Sequence, residues 1–187
     1  MVLLSDVLPI PWRNGGGITR ELIAWPDPQN WVWRISVAEV ASDGAFSSFY
    51  GVQRWLSILT GVGVSLHMGS EDIELFELGT NSDPLAFDGA TPVHCILLGG
   101  PVQDLNLMLR ADGHLGHMRR ISGVERTVIT DAKIIAIYSV NSPAVLWLNG
   151  ERIELQASSL AWQALSAGAE LIIKASNVVL MEVMQVG

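Results

Sequence analysis

The segment Trp31 to Val40, WVWRISVAEV, alternates without a break. Trp31, Trp33, Ile35, Val37 and Glu39 fall on one side of an extended chain, and Val32, Arg34, Ser36, Ala38 and Val40 on the other. This period of two recurs in short runs along the sequence, whereas no stretch carries the 3.6-residue apolar repeat of a long amphipathic helix. ITRELIAWP, VQRWLSILTG, GVSLHMG, EDIELFELG and VHCILL read as strands, followed by VQDLNLMLR, where Leu105, Leu107 and Leu109 oppose Asp104, Asn106, Met108 and Arg110. A short helix there is the second choice. TVITDAKIIAIYSV, PAVLWLNGERIEL with an Asn149-Gly150 hairpin turn, SSLAWQAL, AELIIKAS and VVLMEVMQV complete the series. LLSDVLP reads as an edge strand or turn, SDGAFSSFYG as a turn-rich link, NSDPLAFDGATP as a loop, and ADGHLGHMRRISGVER as polar and irregular.

A weak repeat sharpens the class. RWLSILTGVGVSLHMGSEDIELFELGTNSDPLAF and KIIAIYSVNSPAVLWLNGERIELQASSLAWQALSA share one order: strand, break, strand, acidic turn, strand, apolar end. Two copies of a β unit point to an all-β barrel or sandwich rather than a parallel α/β sheet.

The chain has 187 residues, 49% apolar and 16% charged, with a formal net charge of −8. That balance argues against binding nucleic acid or anionic membrane, since phosphate contacts draw on Lys and Arg. No apolar run reaches the length of a membrane span. MVLLSDVLP is not expected to act as a signal peptide, because Asp6 interrupts the apolar run and no basic residue precedes it. The lone cysteine, Cys95, suits a reducing compartment, so a cytoplasmic location is expected.

The most distinctive string is PWRNGGGITRE, Pro11 to Glu21. Gly15, Gly16 and Gly17 give the backbone freedom to turn tightly or to admit a close neighbour. Around them stand Trp12, Arg13, Asn14, Thr19, Arg20 and Glu21, with guanidinium forks suited to carboxylates. It is not a phosphate loop, since it lacks GxxxxGK[ST]. Elsewhere, Arg34 and Ser36 project from the same strand face about 7 Å apart. Arg54 and Asn106 add further donors, and Trp12, Trp33, Phe49 and Trp55 can supply aromatic walls.

Three stretches carry a family resemblance: PWRNGGGITRE, WVWRISVAEVASDGAFSSFYGVQRWLSILTG and GGPVQDLNLMLR. Together they resemble the HutD/Ves family over roughly Leu4 to Trp162. The resemblance implies a cupin-like (RmlC-like) β-barrel or sandwich of two related halves, a bicupin, with approximate halves 1–100 and 101–187 joined by GGPVQDLNLMLR. It also implies an association with histidine-utilisation genes. The metal-binding signature of many cupins is HxH with a Glu and a further His, and no HxH occurs among His67, His94, His114 and His117. No metal or other cofactor is expected. Cys95 lies in an apolar strand, its neighbour His94 points to the opposite face, and no GxSxG elbow exists, so no catalytic nucleophile is expected. Glu21 and Glu39 are the candidate bases for an alternative, metal-free isomerase or hydrolase. The main expectation is a binding protein with Trp12, Arg13, Asn14, Gly15, Gly16, Gly17, Thr19, Glu21, Arg34, Ser36, Arg54 and Asn106 around a small carboxylate. The ligand implied is a histidine-pathway intermediate such as urocanate or formyl- or formimino-glutamate. A protein-interaction module is the third reading, and self-association would give a homodimer.

Overall fold

The computed structural model describes residues 1–110 and 113–185. Among them there is no α-helix, and no helix long and apolar enough to cross a membrane. The chain opens with β1 (Val2–Leu3) and a 3-10 turn at Leu4–Asp6. These belong to one compact unit, Met1–Val7 with Gly113–Gly187, while Leu8–Asp112 forms the other.

The Leu8–Asp112 unit contains β2 (Ile10–Pro11), β3 (Gly17–Trp25), β4 (Trp33–Val40), β5 (Gly44–Ala45), β6 (Val52–Thr60), β7 (Val64–Met68), β8 (Glu74–Leu78), β9 (Leu85–Asp88), β10 (Val93–Leu97) and β11 (Val102–Arg110). They form a six-stranded sheet in the order β2-β3-β4-β11-β6-β9 and a four-stranded sheet in the order β5-β10-β7-β8. Both sheets turn apolar side chains inward. Val40, Leu56, Ile58 and Val102 from the first meet Val64, Leu66, Leu78, Val93 and Cys95 from the second in one buried cluster. Two irregularities bend the larger sheet: Leu22 is extra where β3 meets β4, and the β11–β6 register slips between Gln103 and Asp104. Such bulges increase strand bend and twist and re-aim side chains.

In the other unit, β12 (His114–Val128), β13 (Lys133–Ser139), β14 (Ala144–Leu148), β15 (Glu151–Leu155), β16 (Ser159–Leu165) and β17 (Glu170–Gln185) join β1 in a seven-stranded sheet. Its apolar cluster is built on Ile121, Ile137, Leu146, Leu155, Leu171, Ile173 and Leu180, and Ser139 and Ser159 are buried in the same sheet. The strand pairing matches the sequence repeat. In the first copy β6 pairs with β9 and β7 with β8; in the second β13 pairs with β16 and β14 with β15. Asn149 and Gly150 make the expected turn with φ of 51° and 84°.

Four expectations of local structure are corrected. His114–Val128 is a long strand rather than an irregular stretch, because it pairs with β17 along its whole length. The two terminal runs form the one continuous strand β17. NSDPLAFDGATP includes β9, paired with β6. VQDLNLMLR, expected where two halves join, is instead an interior strand between β4 and β6.

Candidate functional site

The concave face of the six-stranded sheet collects polar residues at one end of the Leu8–Asp112 unit. Register dictates which ones. Glu21 lies opposite Ser36, Ser36 opposite Asn106, Arg34 opposite Met108, and Met108 opposite Arg54. Directly paired residues share a sheet face, so Thr19, Glu21, Arg34, Ser36, Ala38, Asp104, Asn106, Met108 and Arg54 all point the same way. They line a cavity of about 450 Å³. Ala45, Phe46, Ser47 and Phe49, together with hairpin residues 10–14, complete its wall.

The hairpin between β2 and β3 is the glycine string. Trp12 N–H donates to the Gly17 carbonyl at 2.9 Å, and Gly15 N–H to the Trp12 carbonyl at 3.1 Å. Gly15 adopts φ of 72°, the left-handed region that favours glycine. A Cβ on Gly17 would sit 2.2 Å from the Glu39 carbonyl oxygen and 3.2 Å from the Trp12 ring. The absence of a side chain there lets Trp12 lie against the sheet, where its indole N–H donates to Thr19 Oγ1 at 2.8 Å.

At the floor of the cavity a chain of hydrogen bonds fixes the charged groups. Arg54 Nη2 donates to Asn106 Oδ1 at 2.8 Å, and Asn106 Nδ2 donates to Asp104 Oδ1. Arg54 Nη1 also donates to the Ser47 carbonyl at 3.3 Å. Arg54 is only 7% exposed, yet its Nε is buried without a hydrogen-bond partner. Its guanidinium lies 4.9 Å from the Phe87 ring centroid and 5.6 Å from that of Phe49, contacts that favour a cation. Burial pulls its pKa down to about 10, opposed by Asp104 and aided by Arg34, so it remains charged at neutral pH. Asp104 is 2% exposed, and burial pushes its carboxyl up to about 7 against the pull of Arg54 and the Asn106 hydrogen bond.

Arg34 is held differently. Its Nε and Nη2 donate to the Met108 sulfur at 3.3 and 3.2 Å, a weak acceptor, and its Nη1 reaches Glu21 Oε2 at 3.5 Å, the long limit of a hydrogen bond. It stacks 5.0 Å from the Trp31 ring centroid and 5.2 Å from that of Phe49. Burial lowers its pKa, with Glu21 opposing. Arg13 stands exposed at the rim and makes no hydrogen bond or ion pair among the described residues. The cavity thus gathers three guanidiniums against the carboxyls of Glu21 and Asp104 in a chain that is otherwise acidic.

The HutD family profile matches residues 4–181. The chain belongs to the HutD family. A relative in Pseudomonas putida, described as an uncharacterized 21.2 kDa protein in the hutC 3′ region, is 29% identical over 153 residues, covering 80% of this chain and 78% of its own. Protein Ves of Cronobacter sakazakii is 30% identical over 182 residues, covering 95% and 96% respectively. The structure of HutD from Pseudomonas fluorescens SBW25, determined in a formate condition, superposes with a TM-score of 0.84 at 28% identity, covering 100% of this chain and 98% of that one. Lactobacillus farciminis oxalate decarboxylase, at 10% identity and a TM-score of 0.66 over 98% of this chain and 85% of that one, shows the same cupin-like β fold.

In this HutD-family chain Trp12, Arg13, Asn14, Thr19, Glu21, Arg34, Ser36, Arg54 and Asn106 come together around one cavity. Gly15, Gly16 and Gly17 do not line it. They shape the hairpin, and Gly16 borders a second, smaller cavity behind Trp12 and Phe46. Trp33 and Trp55 are not cavity walls, because each sits one residue from Arg34 or Arg54 and therefore faces the other side of the sheet. Arg20 and Glu39 also face that other side, where they pair with each other. Cys95 is fully buried in apolar surroundings, which push its thiol up to about 12. Asp104, Met108 and Phe46 join the site beyond the residues expected from sequence. Alternation on β11 already placed Asp104 and Met108 beside Asn106, whereas Phe46 sits in a link with no periodicity to read.

Proposed function

We propose that this HutD-family chain is a non-enzymatic, cytoplasmic binding protein for a small carboxylate and regulates histidine utilisation by sensing a pathway intermediate. Urocanate and formyl- or formimino-glutamate are the first candidates. On this reading the scaffold is a pair of related cupin halves, in keeping with the repeated strand pairing, and the ligand site lies in the Leu8–Asp112 half.

One observation carries the proposal: Arg34 lines the cavity beside Arg54, yet its guanidinium donates only to a thioether and across one long contact. A guanidinium with such weak acceptors gains by exchanging them for a carboxylate oxygen, because charge-assisted hydrogen bonds are the strong ones. Two adjacent guanidiniums favour a planar anion that accepts paired hydrogen bonds. Aromatic and thioether surfaces from Trp12, Phe46, Phe49 and Met108 suit the carbon skeleton of a small acid.

A thermal-shift series with urocanate, formyl-glutamate and formimino-glutamate tests the proposal. A ligand at about a hundred times its dissociation constant adds roughly 2.7 kcal/mol of stability, a rise of about 5–10 °C in Tm for a chain of this size. No shift with any of the three would refute it. A metal-free isomerase or hydrolase has one observation in its favour, a buried Asp104 whose carboxyl titrates near 7 and so suits a general base. Turnover of any of the three compounds would move the assignment to that reading.

A further inference from the structure

Among the described residues, Asp104 is the one carboxyl at the cavity floor that lacks a direct cationic partner. Asn106 stands between it and Arg54, accepting from the guanidinium through Oδ1 and donating to Asp104 Oδ1 through Nδ2. No salt bridge joins Asp104 to any Arg or Lys among the described residues, and its Oδ2 has no hydrogen-bond partner there. The residue nevertheless lines the cavity. An anionic guest drawn to Arg34 and Arg54 would bring a second negative charge beside this one. Two carboxylates sharing a site do not both stay ionised when a proton is within reach, because the like charge raises the pKa of one of them strongly.

Resting on the carboxylate-binding reading, we infer that Asp104 is a ligand-contacting residue that binds its guest as a neutral acid. Its carboxyl donates a hydrogen bond to the bound carboxylate, and above neutral pH each guest is taken up together with one proton. In this arrangement Arg34 and Arg54 supply charge, and Asp104 supplies a donor in place of a repulsion. Burial already favours the neutral form of Asp104 in the empty cavity, so the proton is inexpensive near neutral pH.

The surrounding charges support Asp104 as the group that changes state. Arg54 on β6 and Arg34 on β4 are guanidiniums, a group that does not deprotonate in proteins, and burial brings Arg54 down only to about 10. Arg13 on the hairpin is a guanidinium and is always charged. Glu21 on β3 has a cation beside it, with Arg34 Nη1 3.5 Å from its Oε2, whereas Asp104 has none in direct contact among the described residues. Across the core, Cys95 on β10 is held neutral by burial, and Asp43, between β4 and β5, accepts the Leu97 N–H at 2.8 Å. No histidine lines the cavity among the described residues.

The test is isothermal titration calorimetry of the full chain with N-formylglutamate, which has no group titrating between pH 6 and 9. Runs in buffers of different ionisation enthalpy count the protons. At pH 8.5 wild type should take up about one proton per ligand and at pH 5.5 almost none, with affinity falling up to tenfold per pH unit above about 7. Asp104→Asn, which keeps a donor and cannot titrate, should bind with no proton uptake and a flat pH profile. Wild-type binding without proton uptake at pH 8.5 would overturn the inference and leave carboxylate binding intact. No binding of N-formylglutamate at any pH would overturn the inference, and carboxylate binding itself falls only if urocanate and formimino-glutamate also give no thermal shift. The proton count on wild type decides the matter even if the variant does not fold.

Discussion

Replacing Asp104 with Asn should change how the stability of the unliganded protein depends on pH. Burial raises the Asp104 carboxyl from its ordinary 3.8 to about 7, and each pH unit between is worth about 1.4 kcal/mol. Below about pH 4 the carboxyl is protonated in the folded and unfolded chains alike, so it contributes no pH dependence. Between about 4 and 7 the unfolded chain ionises it while the folded chain keeps the proton. The folded state then binds more protons, and stability falls as pH rises. Above about 7 the loss is complete, with an upper limit of about 4 kcal/mol from this residue. The asparagine side chain in the variant is isosteric and can accept the same hydrogen bond from Asn106, but it has no proton to lose. Urea unfolding followed by tryptophan fluorescence, at steps from pH 4 to 8.5, reads the difference directly. The variant should gain on wild type by several kcal/mol across that range, with most of the gain between pH 4 and 7. Taking the difference cancels every other titrating group. Parallel curves would show that Asp104 ionises normally, and that the Asn106-bridged Arg54 compensates its burial in full.

Arg34→Lys should abolish most of the ligand-induced rise in Tm while leaving the unliganded Tm within a few degrees, because a lysine cannot reproduce the planar fork; equal shifts in variant and wild type would refute the role given to Arg34. Gly17→Ala places a methyl 2.2 Å from the Glu39 carbonyl oxygen and should cost about 1–3 kcal/mol or more in chemical denaturation; an unchanged midpoint would show that the hairpin shifts freely. Asn106→Leu removes the bridge between two buried charged groups and should destabilise by about 3 kcal/mol or more near pH 8, and by less near pH 5 where Asp104 is neutral; an equal loss at both pH values would show that the bridge does not depend on the Asp104 charge. Protein purified without added metal should hold no stoichiometric transition ion, and chelator should leave its Tm unchanged; about one Zn, Fe, Mn or Ni per chain by elemental analysis would contradict this.

Much of the site was legible because strand alternation is a strong rule. Once WVWRISVAEV and VQDLNLMLR are read as strands, Arg34, Ser36, Asp104, Asn106 and Met108 are assigned to faces before any coordinates are seen. Alternation cannot say which two strands are neighbours. β4 and β11 lie about sixty residues apart in sequence, and only their pairing brings Ser36 opposite Asn106. The same rule, applied to Trp33 and Trp55, removes both from the cavity wall. Phe49 is among the aromatic walls expected from sequence and does line the cavity, whereas Phe46 is harder to foresee, since it comes from a link whose backbone follows no period. His114–Val128 hides its strand character because apolar and polar residues do not separate by face: Leu115, Val124 and Val128 are exposed together with His117 and Arg126.

The position of β11 has a consequence for how the molecule comes into being. β11 separates β4 from β6 in the larger sheet, and it is the last strand of its unit to leave the ribosome. A nascent chain that ends at residue 100 holds two half-sheets with open edges and no strand to bridge them, the kind of edge that invites pairing with a second chain. Closure then depends on contacts distant in sequence, which slows folding relative to a fold of local hairpins. Asp104 and Asn106 arrive on that same strand, so the step that completes the sheet also delivers the floor of the cavity. The cavity is therefore complete only once the whole sheet has closed.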